Sequence, residues 1–210
     1  MRPSSKLKRE AALDAAEKQF LATGYESVTM ESIAHESGIA KQTLYTYFGS
    51  KRALFLELVT TSTTGARGAA FAASPGMHET ADPRELLRER LVVQLAQVLD
   101  PRVLALRRLV IGELTRSPEL AEAMYRNGPA YAIEVLTDIL ANIAGTGALD
   151  IADPKQAATQ LNWLVMGEPI NRAMLLGDDA ILTRAEVEKH VENAVDVFLR
   201  AYASKDPSQS

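Results

Sequence analysis

Lys41, Gln42 and Thr43, followed closely by Tyr45, Tyr47 and Lys51, place two cations, an amide and several hydroxyls within one short stretch of chain. Lysine suits the acceptor edge of guanine, glutamine pairs with adenine, and threonine can serve either, while tyrosine, threonine and lysine also contact phosphates. Thr29, a little upstream, adds another hydroxyl at a helix start. No competing catalytic set is legible. There is no cysteine, and His35, His78 and His190 are scattered. No nucleophile elbow, histidine pair at ligand spacing or close carboxylate pair is present. An enzyme working in a cavity of the body is therefore a poor fit, and neither a metal nor another cofactor is expected.

Such groups can read a duplex only if a rigid element presents them. Residues 29–52 read as two short helices broken by Gly38, the arrangement of a helix-turn-helix. Ala34 is small enough for close crossing, Gly38 can take the positive φ of a tight turn, and Leu44 anchors the second helix on the first. Thr29 stands as an N-cap with Glu31 in the first turn, although Ser32 occupies the position where a full capping box wants Glu or Gln. After Gly49, Ser50 starts a longer helix whose Leu54, Phe55, Leu58 and Val59 share one face. Lys51 in its first turn opposes the helix dipole, an oddity that a phosphate partner would explain. The recognition helix, about 40–47, is expected in the major groove.

Thr29, Ile33-Ala34, Gly38, Thr43-Leu44-Tyr45, Tyr47-Phe48 and Ser50-Lys51 resemble the N-terminal signature of TetR-type transcriptional regulators. The resemblance continues upstream over Leu13, Ala16, Phe20 and Gly24-Tyr25 and covers about the first sixty residues. It implies phosphate contacts at Thr29, Tyr45, Tyr47 and Lys51, beside base contacts at Lys41, Gln42 and Thr43. Two positions depart from the family. Ala40 replaces the Ser or Thr that caps the recognition helix, and Tyr47 replaces a frequent His. Farther on, Arg107-Arg108-Leu109-Val110-Ile111-Gly112-Glu113, Pro118-Glu119-Leu120, Gly128-Pro129, Gly147-Ala148-Leu149 and Asp153-Pro154, with Gln160 and Gly167, resemble the C-terminal domain of the AefR-like subgroup.

The chain has 210 residues, 47% of them hydrophobic, enough for a sizeable core. Its net charge is −4, unevenly spread: residues 1–52 hold eight Lys or Arg against six acids, which is +2 and leaves −6 for the rest. A basic end on an acidic body suits a DNA reader; a helical partner-binding protein with no DNA role would make the basic signature accidental. Arg2, Lys6, Lys8 and Arg9 form a basic arm. No apolar run reaches membrane-span length, and the N-terminus lacks a signal-peptide core, so a cytoplasmic protein is expected.

The expected fold is all-α. Residues 1–53 form a three-helix DNA-binding domain, 54–203 a helical ligand-binding and dimerisation domain, about nine helices in total, and 204–210 a disordered tail. The long helix should fray from Thr60 through Gly65, proline should interrupt the chain at Asn127-Gly128-Pro129, and Pro169 should kink or end its helix. Met124, Tyr131, Trp163 and Met166 are candidate walls for an apolar or aromatic small-molecule effector. Val191, Val195 and Phe198 form a stripe on the last helix that a second subunit would cover. These features together imply a homodimeric, effector-released repressor on a near-palindromic operator of double-stranded DNA.

Overall fold

The computed structural model describes the backbone of residues 3–72 and 82–203 and the side chains of 5–62 and 82–203. Arg2, His78 and the tail 204–210 lie outside the described residues. The described chain is all-α, apart from one isolated antiparallel bridge between Leu149 and Ala203. Among the described residues, no helix is long and apolar enough to cross a membrane. The helices fall into two compact units, one of residues 1–63 and 105–125, the other of 64–104 and 126–210, so that two helices are divided, between Thr63 and Thr64 and between Leu104 and Ala105.

The first unit contains α1 (Pro3–Thr23), α2 (Met30–Ser37), α3 (Lys41–Phe48) and the start of α4 (Lys51–Ala72). It also takes in the end of α6 (Pro101–Gly112) and α7 (Pro118–Tyr125). Its core is built on Phe20, Tyr25 and Phe55, whose ring centroids lie 4.8–5.5 Å apart. Ile33, Leu44, Leu54 and Leu120 fill the space around the aromatic group and are fully buried. Each such side chain contributes about 1.5–3 kcal/mol by leaving water. The expected fraying of α4 is corrected by the backbone, which stays helical through Thr60–Gly65 to Ala72. Thr60 and Thr61 donate to the carbonyls of Leu56 and Glu57, which satisfies their hydroxyls within the helix.

The second unit packs α5 (Pro83–Val98), α8 (Tyr131–Gly145), α9 (Pro154–Leu176) and α10 (Arg184–Ala201) around a leucine-rich core. Asp82 and Asp153 cap α5 and α9, each with proline at the first helical position, and Thr183 with Glu186 forms a reciprocal box at the start of α10. Both expected proline breaks turn out to be continuous. Between α7 and α8 the chain passes Pro129 in a π-helical turn, Arg126–Ala130. In α9 the helix does not end at Pro169 but continues to Leu176. Pro169 has no N–H for the Val165 carbonyl four residues earlier, and His190 of α10 donates Nε2–H to that carbonyl at 2.9 Å instead. The second helix thus supplies the hydrogen bond that proline withholds.

Candidate nucleic-acid interface

Thr29 caps α2 from extended backbone, φ −120° and ψ 158°. The Ser32 amide donates to Thr29 Oγ1 at 3.1 Å and the Thr29 amide donates to Ser32 Oγ at 3.2 Å. Ser32 thereby completes the capping box that the sequence suggests only for a longer side chain. It also donates to Gln19 Oε1 at 2.6 Å, which ties the start of α2 to α1. Thr29 is exposed, and its hydroxyl proton is available because Oγ1 acts here as an acceptor. At the other end Gly38 adopts φ 66°, and the Ile39 amide returns to the Ala34 carbonyl at 3.1 Å. Only glycine takes that left-handed turn without strain.

Helix α3 then starts at Lys41 with Ala40 as its cap and no side-chain hydrogen bond there. Leu44 and Phe48 are buried and lock the helix onto the core. Lys41, Gln42, Tyr45 and Thr46 are exposed, and Thr43 and Tyr47 are half-buried. Offsets of one, four and five residues place the four exposed groups on one side of the helix. Thr46 is absent from the sequence-derived set, although its spacing of four from Gln42 marks the same face; its Oγ1 donates to the Gln42 carbonyl at 2.8 Å.

Four of the basic and hydroxyl residues, Tyr47, Arg9, Lys51 and Lys41, are already engaged within the unit. Tyr47 accepts a hydrogen bond from Ser5 Oγ at 3.3 Å, and its carbonyl accepts from Arg9 Nη1 at 3.1 Å. Arg9 also pairs with Glu57 and lies 4.7 Å from the Phe48 ring centroid, so it braces α1 against α3 and α4 instead of extending as an arm. Lys51, expected at a phosphate, is held within the unit in the absence of DNA. Its Nζ donates to the carbonyls of Tyr25 at 2.9 Å and Glu26 at 3.4 Å, over the Tyr25 ring at 4.3 Å. The carbonyls and the aromatic face offset the unfavourable position of a lysine at this helix start. Lys41 in turn pairs with Glu31. The Lys41 hydrogen bond holds the Glu31 carboxyl below the ordinary carboxylate range, and the same contact raises Lys41.

The residues expected to form an effector wall are distributed over both units. Met124 belongs to the core of the first unit, whereas Met166 lies in the core of the second, where Tyr131 is half-buried. Trp163 is 45% exposed, because the phase of α9 turns Asn162, Met166 and Pro169 inward and Trp163 outward. Glu113 is buried, and burial lowers the Arg107 guanidinium from its ordinary value. The expected subunit seam is overturned. Val191, Val195 and Phe198 are at most 3% exposed, covered by this chain's own α5 and α9. The exposed residues of α9 include Gln160, Trp163, Leu164, Asn171 and Leu175, with the charged Glu168 and Arg172 flanking them. A side chain built at Gly167 would meet nothing within 4 Å. Among the described residues, no group of three or more His, Asp or Glu could hold a metal ion.

Residues 12–58 match the family model of bacterial regulatory proteins of the tetR family, and residues 85–204 match the AefR-like transcriptional repressor C-terminal domain. Among solved structures, one from Mesorhizobium loti, described as a candidate TetR-family transcriptional regulator, is 28% identical. It superposes with a TM-score of 0.83 over 97% of this chain and 99% of that one. The flavonoid-responsive regulator FrrA is 30% identical, with a TM-score of 0.80 over 96% of this chain and all of its own. An uncharacterised HTH-type transcriptional regulator of Bacillus subtilis, YhgD, is 39% identical over 54 residues, which is 26% of this chain and 28% of that protein.

Proposed function

Because this chain belongs to the TetR family of bacterial regulatory proteins, with an AefR-like C-terminal domain, it is a DNA-binding transcriptional regulator and not an enzyme, and we propose that it acts as a cytoplasmic, homodimeric repressor released by a small molecule. Residues 1–53 serve as its DNA-binding part and 54–203 as its regulatory part. The observation that carries the reading is the face of α3, where Lys41, Gln42, Tyr45 and Thr46 are exposed on a helix anchored by Leu44 and Phe48. Lys41, Gln42 and Thr43 read base edges in the major groove, while Thr29, Tyr45 and Tyr47 hold phosphates, with Thr46 added to the base-reading side.

Two-fold pairing rests on the exposed apolar residues of α9, which Glu168 and Arg172 flank. Trp163 and Leu164 are 45% and 43% exposed, and the open space at Gly167 lets a second copy of the helix approach. The effector reading is supported by the apolar body and by the likeness to FrrA, whose name makes that protein flavonoid-responsive. Release requires the effector to bind the DNA-incompetent arrangement better than the competent one; tight binding alone shifts nothing. Nuclease footprinting should show a symmetric protected site, and sedimentation at micromolar concentration a dimer. Sequence-blind binding at moderate salt would refute the operator reading, and a monomer would refute the seam on α9.

A further inference from the structure

Three polar side chains are enclosed in the apolar core of the second unit, and helix packing gives no reason for them. Arg90 and Gln94 stand one turn apart on the inward face of α5, among Leu87, Leu91 and Leu95, and Asn162 of α9 lies against Gln94. Their exposures are 6%, 7% and 2%. Gln94 Nε2 donates to Asn162 Oδ1 at 3.2 Å, which satisfies the donor end of the amide. The acceptor end is left over: Gln94 Oε1 is buried and accepts no hydrogen bond among the described residues. Burial also pulls the Arg90 guanidinium down from its ordinary value, with the Tyr131 hydroxyl acting in the opposite direction. A buried acceptor without a donor is destabilising, and leucine at both amide positions would pack this core at less cost. Side chains that weaken a core in this way are expected where a ligand completes them.

We infer that Arg90, Gln94 and Asn162 form the polar end of a ligand site whose ligand is a phenol on an apolar body, an inference that rests on the effector reading above. The missing partner of Gln94 Oε1 is a donor, so a carboxylate does not fit. A phenolic O–H donates to Oε1, and the same oxygen accepts from the cationic side chain of Arg90. A nearby guanidinium polarises the phenol and strengthens its donation. The apolar remainder packs among the leucines and Met166, whose unbranched side chain adapts to shape.

Calorimetric titration of the full-length protein with 4-butylphenol, 4-butylanisole and 4-butylbenzoate tests the chemistry. The phenol should bind about ten-fold or more tightly than its methyl ether, which has lost the donor, and than the benzoate. The double variant Gln94→Leu/Asn162→Leu should lose the preference for phenol over ether, while its melting temperature without ligand holds or rises. Equal binding of phenol and ether, tightest binding of the benzoate, or binding of none of the three would overturn the inference on wild-type protein alone. So would a double variant that melts lower yet keeps the preference, since the amides would then be structural. Operator affinity at saturating phenol is measured separately. A phenol that binds as described without weakening DNA binding leaves the site standing and removes the effector reading.

Discussion

The DNA-reading unit sets its polar chemistry on the outside of α3, where Lys41, Gln42, Tyr45 and Thr46 are exposed, whereas the body encloses Arg90, Gln94 and Asn162 among leucines. Both arrangements stand on helices with a buried face, and the difference lies in whether the polar groups sit on that face or opposite it. An outward polar face over a buried Leu44 and Phe48 suits recognition of a large polyanion that stays in water. An inward polar group lowers stability until something meets it, which suits a small molecule that enters the core. The same contrast of phase separates two stripes of the body. Val191, Val195 and Phe198 point inward on α10, and Trp163 and Leu164 point outward on α9.

The largest expected effects test that last contrast. Val195→Glu places an unpaired carboxylate in a site 1% exposed and should cost about 3–5 kcal/mol, so helical circular dichroism and oligomeric state are lost together. Trp163→Glu, on the outward face, should yield monomers that keep the wild-type helical signal. If Val195→Glu gave folded monomers and Trp163→Glu stayed dimeric, the assignment of inner and outer stripes would be reversed.

A smaller effect probes how the body tolerates a proline. His190→Ala leaves the buried Val165 carbonyl without a donor and should cost about 1–3 kcal/mol in denaturant unfolding. In a Pro169→Ala background, the restored N–H can bond that carbonyl, so the same change should cost much less. Equal costs in both backgrounds would break the link between Pro169 and His190.

Legibility in the sequence followed the same division. The reading unit was clear because each of its turns needs a particular local residue: Thr29 to cap, Gly38 at φ 66°, Leu44 to anchor. Its side-chain partners were not clear, since Lys51 is satisfied by carbonyls twenty-five and twenty-six residues away and Arg9 by Glu57. In the body, periodicity marked α10 as amphipathic but could not say whether its own chain or a second one covers the stripe. Pro169 looked like a stop because the donor that replaces its N–H comes from another helix. Arg90 and Gln94 gave no signal, because a polar pair four apart on a helix reads equally well as a solvated face until burial is known.

On the reading unit, Ala40→Ser should stabilise the start of α3 by about 0.5–2 kcal/mol, because the serine hydroxyl can accept from an amide that no side chain now caps. The measurement is hydrogen exchange at the first turn of α3 alongside operator affinity. Slower exchange with unchanged or tighter operator binding sharpens the view of α3 as a preformed reader. Slower exchange with weaker binding would mean that DNA needs a helix start that can still adjust.

The smallest expected effect concerns the one base-reading cation that is not free in the absence of DNA. Lys41 is paired with Glu31, so an ammonium that turns to a base edge must first leave a carboxylate. Both side chains are more than half exposed, and exposed pairs are weak and screened by salt. Glu31→Gln should therefore tighten operator binding by only about two- to three-fold at low salt, with the gain vanishing as salt rises. Lys41→Ala should remove that gain, because the pair has then lost its other member. The pH dependence gives an independent check. Glu31 is held below the ordinary carboxylate range, so the pair is present above that range and is lost only as pH falls through the lowered value. Mild acidification to pH 5 should leave the pair intact and should not reproduce the Glu31→Gln gain. A variant that tightens DNA equally with and without Lys41 would show that Glu31 acts by simple repulsion of phosphate, and Lys41 would then read its base without a competitor.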